Sequence, residues 1–133
     1  MSLVPELPTR PDDDLRTLLL GLRGRVPRKT FWLWGVLALV LAQMVAYALL
    51  GIAGASERFA EGASALLVVW PSFAITVKRW HDRGKSAWWV LINLVPVVGS
   101  VWTLIECGLL RGTVGANRYG PDPLAGIDRP QSL

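Results

Sequence analysis

A chain of 133 residues, 52% apolar and only 18% charged, allows one compact domain and lies far on the apolar side of ordinary soluble proteins. Its single cysteine excludes an internal disulfide framework, and one histidine with one cysteine cannot build the usual zinc site, so neither a metal nor a cofactor is expected. A formal charge of +4 would suit nucleic acid or anionic lipid, but the cations stand beside long apolar runs, which excludes nucleic acid as the partner and favours membrane lipid.

In chain order, residues 1–11, with Pro5, Pro8 and Pro11, read as a flexible tail, 12–123 as a single membrane domain, and 124–133 as a second tail. "DDDLRTLLLGLRGR" offers an aspartate N-cap followed by Leu15, Leu18, Leu19 and Leu22 at helical spacing. It predicts a short amphipathic helix, either on the membrane surface or packed on its own bundle.

From Phe31 to Ser56 there is no charged side chain. That run exceeds the roughly 20 residues a helix needs to cross a hydrocarbon core, and a domain this small cannot bury a helix that is apolar all round. The first span is expected at about 31–53. "AGA" at 53–55 resembles a signal-cleavage site, yet the run is longer than a signal's core of roughly 7 to 15 residues, so it is read as an anchor. Ala38, Ala42 and Ala46 form a small-residue stripe suited to close helix approach and to a homo-oligomer. Gln43 is expected to form an interhelical hydrogen bond.

A second, shorter span is expected at about 62–79, with Glu61 in one interface, Lys78 and Arg79 snorkelling at the other and Trp80 at headgroup level. Pro71 predicts a kink, with Ser72 and Thr76 to bond the carbonyls it frees. The third apolar stretch, about 87–109, is broken by "NLVPVVGS" at 93–100. The reading adopted is one span kinked at Pro96 and Gly99; the alternative is a re-entrant hairpin of two short helices. The fold class is therefore an all-α integral membrane protein with about three transmembrane helices and a short N-terminal helix.

Basic residues set the orientation. Arg16, Arg23, Arg25, Arg28 and Lys29 precede the first span, Arg58 stands between two glutamates, and four cations follow the second span. The N-terminus and the 78–85 loop are therefore expected in the cytoplasm. In "KRWHDRGKSAWW", 78–89, the cations Lys78, Arg79, Arg83 and Lys85 with Trp80, Trp88 and Trp89, joined by Arg25, Arg28 and Lys29, are the candidate contacts to anionic headgroups. His81 and Asp82 are adjacent, hence about 100° apart on a helix, and Ser72, Ser86 and Cys107 lack an activating context. No catalytic residue is assigned. Asp82 is expected to end the second helix, Gly84 to turn the chain, and His81 to bond another loop. Glu106 closes the third stretch as an interfacial carboxylate or an intramembrane one. "NRYGPDP" supplies Asn117, Arg118, Tyr119, Gly120, Pro121 and Asp122, turn chemistry that fixes a loop; Arg118 or Tyr119 is expected to dock near His81 and Asp82.

With these segments in place, the chain resembles the domain-of-unknown-function 805 family of small bacterial inner-membrane proteins. "GRVPRKTFW" at 24–32 resembles its opening signature, "PSFAITVKRWHDRGKSAWW" at 71–89 its central box, and "PVVG" and "GTVGANRYGPDP" its closing motifs. Lys78, Trp80 and Ala87 depart from the arginine, leucine and glycine of that pattern. The resemblance implies an uncharacterised multi-pass protein of the inner membrane and carries no reaction. The expected function is a non-enzymatic scaffold or lipid-associated module. A transporter or channel subunit lined by Gln43, Ser72, Thr76, Asn93 and Glu106, and a membrane enzyme using His81 and Asp82, are the alternatives.

Overall fold

The computed structural model describes residues 14–125; the tail expected at 1–11 lies outside them, as does that at 124–133 from residue 126 onward. Asp14 accepts a hydrogen bond from the Arg16 N–H at 3.2 Å and opens helix α1, Leu15–Leu20. The carboxylate satisfies a donor that the first turn leaves orphaned. Of the two settings expected for this helix, the structure has it packed on the bundle. Leu18 is buried, and Lys78 Nζ donates to the Thr17 carbonyl at 2.7 Å and to that of Leu18. That places a cation at the negative end of α1, where it also occupies last-turn acceptors.

Helix α2, Arg28–Ile52, starts as one α-turn, passes through a π-helical stretch at Phe31–Ala38, and continues as α-helix from Leu39. Its apolar window has a mean hydropathy of 2.2 and is only 6% buried against the rest of the chain. A core helix of a soluble protein would be covered; this one presents its apolar surface outward, as a lipid-facing helix does.

Ser56 caps helix α3, Glu57–Asp82, by accepting from the Phe59 N–H, and the helix runs on through Pro71. It pairs with α2, whose less exposed positions Leu39, Gln43, Ala46 and Leu50 recur at helical spacing. Ala46 thus lies on the covered side while Ala42 is exposed, so the alanine stripe is divided between a neighbour and the surface. Gly35 allows the close approach: a Cβ there would meet Ile75 Cγ2 at 2.9 Å.

The third stretch corrects the kinked-span expectation. A 3₁₀ helix, Ala87–Leu94, stops at Val95, and a second helix, α4, Val98–Leu109, folds back against it. Thr103 Oγ1 donates to Asn93 Oδ1 at 2.9 Å, and a Cβ on Gly99 would fall inside the Ile92 carbonyl. In one continuous helix, residues ten apart stand about 15 Å apart along the axis and could not touch. Pro96 is the physical cause, since it holds Val95 extended (φ −89°, ψ 106°) and has no N–H to continue the ladder.

Val97 then sits at φ 65°, ψ −61°, with the Val98 N–H donating to the Pro96 carbonyl at 2.7 Å, a γ-turn of the rare strained sense. A β-branched residue at positive φ carries strain of order 1 kcal/mol or more. Val97→Gly is expected to stabilise the folded chain by about 1 kcal/mol, read as a higher melting temperature in detergent. A lower melting temperature would contradict the turn.

The hairpin returns the chain to the end of the bundle where α2 starts and α3 stops. Arg28 Nη1 donates to the Leu109 carbonyl at 2.8 Å, and Trp32 Nε1 to that of Gly108 at 2.9 Å. Among the described residues there is no strand, only the isolated Asn117–Gly120 bridge in the closing segment.

Candidate functional site: an arginine-clamped cap

The last turn of α3 carries Arg79 and Asp82 on one face, three residues apart, and Arg25 reaches the same carboxylate from the segment before α2. Arg25 Nε and Nη2 lie 3.0 Å from Asp82 Oδ1, and Arg79 Nη1 donates to Oδ2. All three side chains are buried, at 2%, 0% and 2% exposure for Arg25, Arg79 and Asp82.

Two guanidiniums around one carboxylate leave a surplus of positive charge and N–H donors, and backbone carbonyls absorb it. Arg25 donates to Thr113 (2.6 Å), Gly115 (2.7 Å) and Gly120 (3.3 Å); Arg79 donates to Cys107 (2.6 Å), Leu110 (2.5 Å) and Val26 (3.4 Å). Such saturation is what makes buried charge tolerable, because each buried ion otherwise costs several kcal/mol. The Thr113 N–H closes on the Asp82 carbonyl at 2.6 Å, and Gly112 passes so near that a Cβ there would fall inside the Asp82 carboxylate.

His81 supports the cap from its other side. Its ring stacks on Tyr119 with centroids 4.0 Å apart and planes 5° from parallel, and Nδ1 faces the Gly24 carbonyl at 3.2 Å, which favours the tautomer with the proton on Nδ1. Asn117 Nδ2 donates to the His81 carbonyl at 2.9 Å, and Asn117 Oδ1 accepts from the Tyr119 N–H. Arg118 is exposed and lies over the Tyr119 ring at 4.8 Å. Asp122 accepts from the N–H groups of Gly115 (2.8 Å) and Leu124 (2.9 Å), and Pro121 is exposed beside it. Burial alone would push the Asp122 carboxyl up; those two N–H groups and the charges of Arg25 and Arg111 outweigh it and hold it below the usual carboxylate range. A depressed carboxylate stabilises the fold above its unfolded pKa, and this contribution is lost as pH falls through the lower folded value.

Gly84, at φ +74°, turns the chain out of α3, with the Gly84 N–H on the His81 carbonyl and the Lys85 N–H on that of Trp80, a helix end that needs a residue without Cβ strain. Beyond it, Arg83 Nε and Lys85 Nζ bind the two oxygens of Glu106 at 2.9 and 3.0 Å. Lys85 also lies 4.6 Å from the Trp89 ring centroid, and Trp89 stacks on Trp80 at 5.8 Å.

The ten residues expected at lipid headgroups thus divide. Arg25, Lys78, Arg79 and Trp80 are interior, a correction: carbonyls of the closing segment, of Cys107 and of the end of α1 take the three cations inside the protein, and Trp80 is stacked on Trp89. Arg83 and Lys85 are partly exposed and paired with Glu106, while Arg28, Lys29, Trp88 and Trp89 are exposed. Sequence reading missed Gly112, Thr113 and Gly115; the available signal was a turn-rich segment, "GTVGANRYGPDP", offering carbonyls to a chain with more cations than acids. Of the polar candidates for a transmembrane path, Asn93 binds Thr103 and Glu106 binds Arg83 and Lys85.

The stretch that carries the clamp, from Arg25 to Gly120, falls within a match to a known family. The model of the family described as "Protein of unknown function (DUF805)" matches residues 19–121. The chain belongs to that family. Among DUF805 relatives, Inner membrane protein YhaH of Escherichia coli (strain K12) is 36% identical over 109 residues, covering 78% of this chain and 88% of that protein. Uncharacterized protein YiiR of the same strain is 34% identical over 130 residues, and Inner membrane protein YhaI is 30% identical over 107. No solved structure matches the chain. With two helices among the described residues apolar enough to cross a bilayer, this DUF805 chain is an all-α inner-membrane protein.

Proposed function

We propose that the chain is a multi-pass, non-enzymatic scaffold of the inner membrane, with its cap in the cytoplasm and anionic lipid as its partner. The observation that carries this reading is the division of labour at the cap. His81 and Asp82, the groups that could do acid-base chemistry, are both engaged in holding the segment before α2 and the 112–120 segment to the end of α3. Exposed cations remain near the same end, among them Arg23, Arg28, Lys29 and Arg118, with exposed Trp32 and Trp88, a composition suited to anionic headgroups. The opposite turn, near Ala53, has only Arg58 among Glu57 and Glu61.

Single cysteines in a Cys107→Ala background test the topology in spheroplasts. A membrane-impermeant maleimide should label Ala53→Cys and spare Val114→Cys and Arg23→Cys until the membrane is broken; labelling of Val114→Cys from outside would overturn the orientation. Native mass spectrometry from a mild detergent tests the partner. Retention of phosphatidylglycerol over phosphatidylethanolamine is expected, and equal retention of both would remove lipid association from the reading. The same spectrum reports whether a homo-oligomer accompanies it.

A further inference from the structure

Between the start of α2 and the end of α4 runs an open groove of about 850 Å³, a volume within the usual range for small-ligand sites. Its polarity is graded. Arg28 and Lys29 stand at one end, and below them the wall is Trp32, Leu33, Leu37 and Val40. The floor is the bare backbone of Gly108, on which Trp32 is fixed by its 2.9 Å hydrogen bond; a Cβ on Gly108 would meet the indole at 2.8 Å. We propose that this groove holds one anionic glycerophospholipid, its phosphate at Arg28 and Lys29 and one acyl chain along Leu33, Leu37 and Val40. This deepens the lipid association proposed above and rests on it.

Three further features support the assignment. Arg28 is held at the mouth by one bond, Nη1 to Leu109, which leaves the other donors of its fork for an acceptor from outside. From Arg28 to Val40 is twelve residues, about 18 Å at roughly 1.5 Å per residue, close to one leaflet of a core about 30 Å thick. A headgroup at the mouth therefore places the chain alongside the apolar wall. Finally, the groove is lined by both π-helical stretches, Phe31–Ala38 and Leu104–Leu109, which touch one another here. π-Turns are rare and concentrate at functional sites because they re-aim side chains and loosen the helix surface.

The test uses the full chain in mild detergent with equimolar phosphatidylglycerol and phosphatidylethanolamine, read by native mass spectrometry. Wild type should retain one phosphatidylglycerol. Arg28→Gln with Lys29→Gln should lower that retention roughly tenfold or more, as two headgroup contacts imply. Lys29→Gln alone leaves the Arg28–Leu109 bond intact and should show part of the loss, which guards against misfolding. Val40→Trp, filling the deep end, should also lower retention with both cations in place. Arg23→Gln with Arg118→Gln, cations at the same end but outside the groove, should lower it clearly less than the groove pair does.

An equal loss in that outer pair would overturn the site while leaving general lipid association standing. No preference in wild type would instead fail the underlying reading. Retention of free phosphate without lipid, or a lipid-free dimer that Val40→Trp converts to monomer, would overturn the proposal in favour of those occupants.

Discussion

Asp82→Asn is expected to destabilise the folded chain by about 3–5 kcal/mol, the usual cost of removing one partner from a buried ion network. Asparagine keeps the size of the side chain and one acceptor, but it removes the charge and sets an NH2 donor against a guanidinium where the second oxygen accepted. It leaves two guanidiniums buried, with carbonyls still around them but no counter-charge between them. The expected readouts are a lower level in the membrane, a lower melting temperature in detergent and protease cleavage within 112–120. Gly112→Ala should reach the same end without altering any charge, because the methyl group would occupy the place of the Asp82 carboxylate. If Asp82→Asn melted like wild type and the 112–120 segment stayed protected, the clamp would not hold the cap.

Gly99→Ala is expected to open the hairpin, at a cost of order 3 kcal/mol, at the upper end of overpacking penalties. The obstacle to a Cβ at Gly99 is the Ile92 carbonyl and its neighbouring backbone, which cannot swing away as a side chain could. Relief requires the 3₁₀ helix and α4 to separate, and with them the Thr103–Asn93 bond. Since α4 and the residue that follows it deliver the Cys107 and Leu110 carbonyls to Arg79, the cap should loosen as well, exposing the buried Cys107 thiol to maleimide in detergent. Gly51→Ala is the matched control. Nothing lies within 4 Å of a Cβ there, and alanine favours helix by about 1 kcal/mol, so stability should hold or rise. Equal behaviour of the two variants would refute the packing of Gly99 on Ile92.

The parts of this fold that depend on local rules were legible in the sequence. A charge-free run from Phe31 marks α2, and Asp14 with spaced leucines marks α1, because apolar period and capping act over a few residues. The family was legible too, through four ordered motifs. The hairpin was less so: Pro96 and Gly99 are compatible with a kink or a reversal, and what decides is the fit of Ile92 against Gly99, a contact between backbones. The clamp was the hardest to see. Arg25 and Asp82 are 57 positions apart, and an arginine beside apolar runs has the same local pattern whether it meets a headgroup or a carbonyl. Tyr119 could be assigned to the neighbourhood of His81 because turn-rich segments need a surface to rest on, but no local rule supplied the stack.

The clamp also bears on the order in which the protein can be completed. Arg25 is synthesised 88 to 95 residues before Thr113, Gly115 and Gly120, whose carbonyls it requires. Until then, Arg25 and Arg79 share one carboxylate and lack most of their acceptors, so both must stay hydrated near the membrane surface. The apolar helices can enter the bilayer first, but the bundle cannot lock until residues 113–120 arrive. A chain that stopped before Thr113 would leave Arg25 without its carbonyl acceptors and this end of the bundle unlocked.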